Sequence, residues 1–193
     1  MCLLDSDKKH PNSGIGSTAS KFNKNQDTAI CKHYIIDSHE VESLIPLEII
    51  EQCITEKKLE AKHLTTLEQL SAIVSFNPST KLYYDHKEGI TINKAITLDS
   101  KYHDRFWQDS FEHAPNFKRK GCLKNMECNC VPECFAIPGF GTGLLDAGTS
   151  TLSKMSYFKL NEMIPIYIMN EWKKIGQKLF SWGCSPSSRA RTS

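Results

Sequence analysis

The chain has 193 residues, 39% of them hydrophobic and 24% charged, with a formal net charge of +2. That composition excludes a disordered or fibrous chain, and the small charge does not by itself call for a polyanionic partner. A domain averages roughly 150 residues and a membrane span needs roughly eighteen apolar ones, so one domain, cytoplasmic and with no membrane partner, is expected.

Met1-Cys2-Leu3-Leu4 is a short apolar run ending in Asp5, the pattern of a buried strand giving way to a loop. A buried strand needs neighbours on both sides, so the chain is expected to be a fragment or one half of a split gene. Residues 8–30 carry Pro11, Gly14 and Gly16 among Ser, Asn and Lys and predict an exposed loop with a short helix over residues 18–23. Residues 30–36 predict a second strand, ending in Asp37-Ser38-His39-Glu40-Val41-Glu42. Leu47, Ile50, Cys53 and Ile54 recur at helical spacing after Pro46, up to Lys58. Thr65 and Glu68, at capping-box spacing, predict the start of another helix, which Asn77-Pro78 ends. Leu82-Tyr83-Tyr84 predicts a third strand, running into Asp85-His86-Lys87-Glu88-Gly89. A helix is expected over residues 99–113, with Tyr102, Phe106, Trp107 and Phe111 as its core stripe. Residues 115–150 predict a loop, with Gly139 to Gly143 as a flexible turn rather than a phosphate cradle, since neither a strand nor a helix is evident beside it. The clearest amphipathic helix follows Pro165, with Ile168, Met169, Trp172, Ile175 and Leu179 on one face.

Three of the predicted strands thus end in charged clusters. Strand ends along one edge of an open α/β sheet are where such folds place their sites. Asp5 and Asp7, at i and i+2, can approach one hard cation together, and Mg²⁺ takes one or two carboxylates while keeping several waters. Glu40 and Glu42 lie in the second cluster; either can instead favour the helix after Pro46 through its dipole, and Glu40 is the stronger choice for the metal. Lys87, in the third cluster, suits stabilisation of charge building on a phosphate, or is a plain turn lysine. The seven histidines show no H-E-x-x-H spacing, and no P-loop or nucleophile motif is present.

The run Leu3-Leu4-Asp5-Ser6-Asp7 resembles the strand carrying the D-x-D motif of TOPRIM domains. His39-Glu40-Val41-Glu42-Ser43-Leu44 is similar to the acidic segment of TOPRIM nucleases of the overcoming-lysogenization-defect (OLD) type, some of them retron-associated, which form the C-terminal half of ATPase-linked anti-phage proteins. The resemblance covers the first half of the chain and implies a Mg²⁺- or Mn²⁺-dependent DNA endonuclease of phage defence. It further implies that Asp5 and Asp7 are metal ligands, that Glu40 or Glu42 serves a second metal, and that Lys87 is the basic residue some members use. TOPRIM domains also place a glutamate on an earlier strand, and this chain begins after that place, so it is expected to be the C-terminal portion of such an enzyme, with DNA and an ATPase domain or subunit as partners.

Eight cysteines without an export signal point to reduced thiols or a metal. Cys122, Cys128, Cys130 and Cys134 form C-x5-C-x-C-x3-C, a spacing that can offer four thiolates to a structural Zn²⁺, or leave free thiols in a loop. Lys118-Arg119-Lys120 beside them is basic. The expected architecture is α/β: a small, mostly parallel, incomplete TOPRIM-like sheet over residues 1–114, a cysteine-rich segment over 115–150, and a helix with a tail over 151–193. The rival expectations are a zinc-stabilised nucleic-acid or protein binding module and a non-catalytic remnant docking on an ATPase partner.

Overall fold

A computed structural model describes residues 2–24, 32–114 and 136–183. The cysteine cluster Cys122, Cys128, Cys130 and Cys134, the basic run 118–120 and the tail from residue 184 lie outside the described residues.

The fold is α/β and mostly helical. Strand β1 (Cys2–Leu4) pairs in parallel with β2 (His33–Ile35), Leu3 opposite Tyr34. Between them stands helix α1 (Ser17–Lys24). Parallel pairing brings the C-terminal ends of both strands to the same edge, and so sets Asp5 beside the segment that follows Ile35. The mostly parallel sheet expected from sequence is smaller than foreseen: among the described residues, the other sheet is the antiparallel pair β3 (Gly89–Thr91) and β4 (Ala136–Pro138).

The helices follow the apolar periodicity. Helix α2 (Leu47–Thr55) begins directly after Pro46 and buries Ile49, Ile50, Cys53 and Ile54. Helix α3 (His63–Phe76) starts two residues before the expected Thr65, so Thr65 and Glu68 lie inside it rather than capping it. Residues 82–84 are not a strand. Asn77-Pro78 opens a helical turn, α4 (Thr80–Tyr83), held by Thr80 Oγ1 donating to the Asn77 carbonyl at 2.7 Å, and Tyr84 alone is extended. Local turn chemistry overrides the β preference of the tyrosines.

The expected helix over 99–113 is two helices, α5 (Ile92–Tyr102) and α6 (Phe106–Phe111), broken at His103, whose φ of 53° is left-handed. Asp99 makes the break. Its carboxylate accepts from Trp107 N at 3.0 Å and Gln108 N at 2.7 Å, satisfying the free amides that open α6. Trp107 and Phe111 are buried, as the aromatic stripe predicts. Of the loop expected over 8–30, the described residues 8–24 are less exposed than expected: His10 and Ala19 are fully buried, and His10 stacks on Tyr102 at 4.7 Å.

Within the loop expected over 115–150, the described residues 136–150 also depart from that reading. Beyond β4, helix α7 (Leu144–Leu152) packs on α2, and α8 (Tyr157–Met163) follows. Helix α9 (Ile166–Gly183) is the amphipathic helix expected after Pro165. The main core joins Ile49, Ile50, Leu70, Ile73, Trp107, Ile137 and Leu144; a second cluster joins Leu44, Ile164 and Ile168. No helix among the described residues is long and apolar enough to cross a membrane.

Candidate functional site

Three carboxylates meet one ammonium at the C-terminal edge of the parallel pair. Lys87 Nζ lies 3.1 Å from Glu42 Oε1, 3.2 Å from Glu40 Oε2 and 3.9 Å from Asp5 Oδ2. These are four of the five residues that the sequence singles out for the acidic site. Asp7 borders the same cleft, of about 430 Å³, but is exposed and makes no ion pair with Lys87. Its φ is 57°, and its amide donates to the His39 carbonyl at 2.9 Å, so the β1 end is stitched to the β2 end beyond the strands themselves.

Each acidic group is held by a backbone donor or by Lys87. Asp5 Oδ1 accepts from Val41 N at 2.9 Å, the first amide of the 3₁₀ turn Val41–Leu44. Glu40 Oε1 accepts from His86 N. Burial raises the Asp5 pKa above its ordinary value despite the Val41 amide and Lys87, and burial with the Glu42 charge raises that of Glu40. Partial burial works against the Lys87 charge, yet Glu42 and Glu40 together lift its pKa above the usual lysine value. The carboxylates are crowded and the cation among them is fixed.

Lys87 arrives on a loop that the glycine segment clamps. Phe140 N donates to the His86 carbonyl at 2.6 Å and Gly141 N to the Lys87 carbonyl at 3.2 Å, and Gly139 lies so close that a Cβ there would collide with the Lys87 carbonyl. Residues 139–141 are therefore held against the Lys87 loop on the way from β4 to α7, unlike the free turn expected, while Thr142 and Gly143 are exposed. Gly89 closes the same loop at φ 84°, a conformation glycine adopts without steric cost.

Beneath this edge runs a buried polar chain. The Tyr84 carbonyl can only accept, so His86 Nδ1, at 2.9 Å, carries the proton, and His86 Nε2 accepts from Lys81 Nζ at 2.8 Å. Lys81 also donates to the Ser43 carbonyl at 3.0 Å. Burial brings the Lys81 pKa down to about 7, and burial together with Lys81 holds His86 well below its ordinary value.

On the other side of Glu40 stand His39 and Asp85. His39 Nε2 lies 3.5 Å from Asp85 Oδ2, and Lys9 Nζ 3.7 Å from the same oxygen. Burial opposes the Asp85 charge, but the hydrogen bonds from His39 and Glu88 N and the charges of His39 and Lys9 outweigh it and hold this carboxyl well below the usual range. His39, Glu40 and Asp85 are all buried and offer one donor atom each, all within 4.8 Å of one another, so this group could hold a metal ion. Sequence reasoning placed Asp85 in a charged cluster but missed His39. The available signal was His39 standing next to Glu40, with Asp85 two residues from Lys87.

Comparison with protein-family models, with curated proteins and with solved structures finds no match.

Proposed function

We propose that Asp5, Glu40, Glu42 and Lys87 form the centre of a divalent-metal-dependent nuclease of TOPRIM type, hydrolysing a phosphodiester with DNA as the substrate. The observation that carries this reading is the convergence of three carboxylates, from two parallel strand ends, on the single charge of Lys87. The donor set fits Mg²⁺ or Mn²⁺: the ligands are hard oxygens, and Glu42 Oε2 is buried with no hydrogen-bond partner. Asp5, Glu40 and Glu42 would hold the ion, with Asp7 at the rim of the cleft. A bound divalent cation supplies polarisation of a phosphoryl oxygen and a more acidic water.

The chain's own groups do the rest. The Val41 and His86 amides fix the directions of Asp5 and Glu40, so their oxygens need little reorganisation when charge develops. Lys87 keeps its proton at neutral pH and places a positive charge at the cleft wall, where it meets the non-bridging oxygens of a phosphodiester. In phage defence such a centre would act beside an ATPase domain or subunit.

The test is cleavage of a DNA duplex and of a single strand in Mg²⁺ or Mn²⁺. Asp5→Asn and Glu42→Gln are expected to abolish cleavage, with circular dichroism and melting confirming the fold. Full cleavage by both variants, or no cleavage by the parent chain in either metal, overturns the reading.

A further inference from the structure

The cluster behind the acidic edge has a different chemistry from the edge itself. It combines one imidazole with two carboxylates, all buried, whereas the Asp5–Glu42 face offers oxygen alone. Oxygen-only sets suit Mg²⁺; an imidazole nitrogen added to carboxylates shifts preference towards transition-metal divalents. We propose that His39, Glu40 and Asp85 form a binding site for a transition-metal divalent cation, of which Mn²⁺ is the working representative, joined to the acidic edge through Glu40.

Three observations carry this. First, the His39–Asp85 pair stands near ligand spacing. Two ligand atoms about 2.1 Å from a shared ion lie about 3.0 to 3.4 Å apart at cis-octahedral or tetrahedral angles. The His39 Nε2 to Asp85 Oδ2 separation of 3.5 Å is within a few tenths of an ångström of that. Second, His39, Glu40 and Asp85 are each less than a tenth exposed, so an imidazole and two carboxylates share a water-poor space in which a bound cation offsets the crowded negative charge. Third, both carboxylates are already aimed. Glu40 is aimed by the His86 amide and Asp85 by the Glu88 amide at 2.8 Å, so both carboxylates keep an oxygen for a cation. Lys9, one-third exposed at 3.7 Å from Asp85, occupies the charge position in the meantime and can swing to solvent.

The site does not rest on the nuclease reading, because binding is measured without catalysis. Mn²⁺ also discriminates against thiolates, so cysteines do not enter the result. The experiment is pulsed electron paramagnetic resonance on the full chain, stripped with chelator, reloaded with Mn²⁺ and labelled with ¹⁵N-histidine. Nitrogen coupling to bound Mn²⁺ is expected in the parent chain. It should vanish in His39→Asn, while Asp85→Asn weakens Mn²⁺ binding about tenfold or more. Asp5→Asn, which alters the other face, should leave the nitrogen coupling in place. Absence of nitrogen coupling in the parent chain overturns the proposal whatever the variants do, and so does coupling that survives His39→Asn. If neither His39→Asn nor Asp85→Asn folds, paramagnetic broadening of the His39 ring signals in the parent chain decides: broadening at low Mn²⁺ supports the site, and unbroadened His39 signals overturn it.

Discussion

Lys87 Nζ sits 3.1 Å from Glu42 Oε1, and that pair is the keystone of the acidic edge, because Glu42 is buried and Lys87 is only about one-third exposed. Replacing Lys87 by Met removes the charge that separates Glu40 from Glu42. With the ammonium partly screened by water, the expected loss is about 1 to 2 kcal/mol in urea denaturation at neutral pH. The sign in pH follows from a folded pKa above the unfolded one. The ion pair contributes fully below about 10.4 and is lost as pH rises through the folded value. Added Mn²⁺ should raise the melting temperature of Lys87→Met more than that of the parent chain, since the variant has no internal cation to displace.

Lys81 behaves in the opposite sense. Its pKa is about 7 when folded, through burial, against about 10.4 when unfolded. Between those values the unfolded chain binds the extra proton, so stability should rise with pH from about 7 to about 10. Lys81→Met is expected to flatten that rise. Urea midpoints of both proteins at neutral pH and at pH 9 measure it; parallel slopes would show that Lys81 is not buried neutral.

Gly139 tests how the lysine is delivered. A Cβ there would meet the Lys87 backbone carbonyl, which has no flexible end to move aside. Gly139→Ala should therefore cost about 1 to 3 kcal/mol and displace the Lys87 loop, weakening the Mg²⁺ binding proposed for the acidic edge. Gly143→Ala is the control, because a Cβ at Gly143 has nothing within 4 Å. Equal effects of the two substitutions would refute the clamp.

Asp99 sets the break between α5 and α6. Asp99→Ala leaves the Trp107 and Gln108 amides without their acceptor, and the expected loss is about 1 to 2 kcal/mol. Asp99→Asn, which keeps an accepting oxygen, should recover part of it. Thermal melting of the three proteins distinguishes them.

Much of the edge was legible because strand ends announce themselves. Apolar runs stop abruptly at Asp5 and at Asp37, and parallel pairing then brings those stops together, so the meeting of Asp5, Glu40 and Glu42 follows from two local patterns and one rule of topology. Lys87 was found for the wrong local reason. The tyrosines at 83 and 84 suggest a strand, whereas Pro78 and Thr80 start a helical turn, and the His39 amide bonding to the Leu82 carbonyl at 2.7 Å places that turn beside β2. Helices α2, α3 and α9 followed from their apolar spacing. The helix α7 was hidden because Gly148 and three hydroxyl residues dilute its pattern; Gly148 is there because Ile45 packs where a Cβ would stand. The pairing of His39 with Asp85 joins residues 46 apart in sequence and leaves no local signature.

Glu171, on α9, is buried with its Oε1 accepting from the Asp37 amide at 3.0 Å, while Lys174 pairs with the Asp37 carboxylate at 2.8 Å. The last long helix is thus fastened to Asp37, two residues past the end of β2 and two before His39. Local opening of α9 must break that fastening, and a cation held at His39, Glu40 or Glu42 makes such opening dearer by mass action. Metal occupancy should consequently be readable from a distance, as slower amide hydrogen exchange along residues 168–175 of α9, a stretch that never touches the ion.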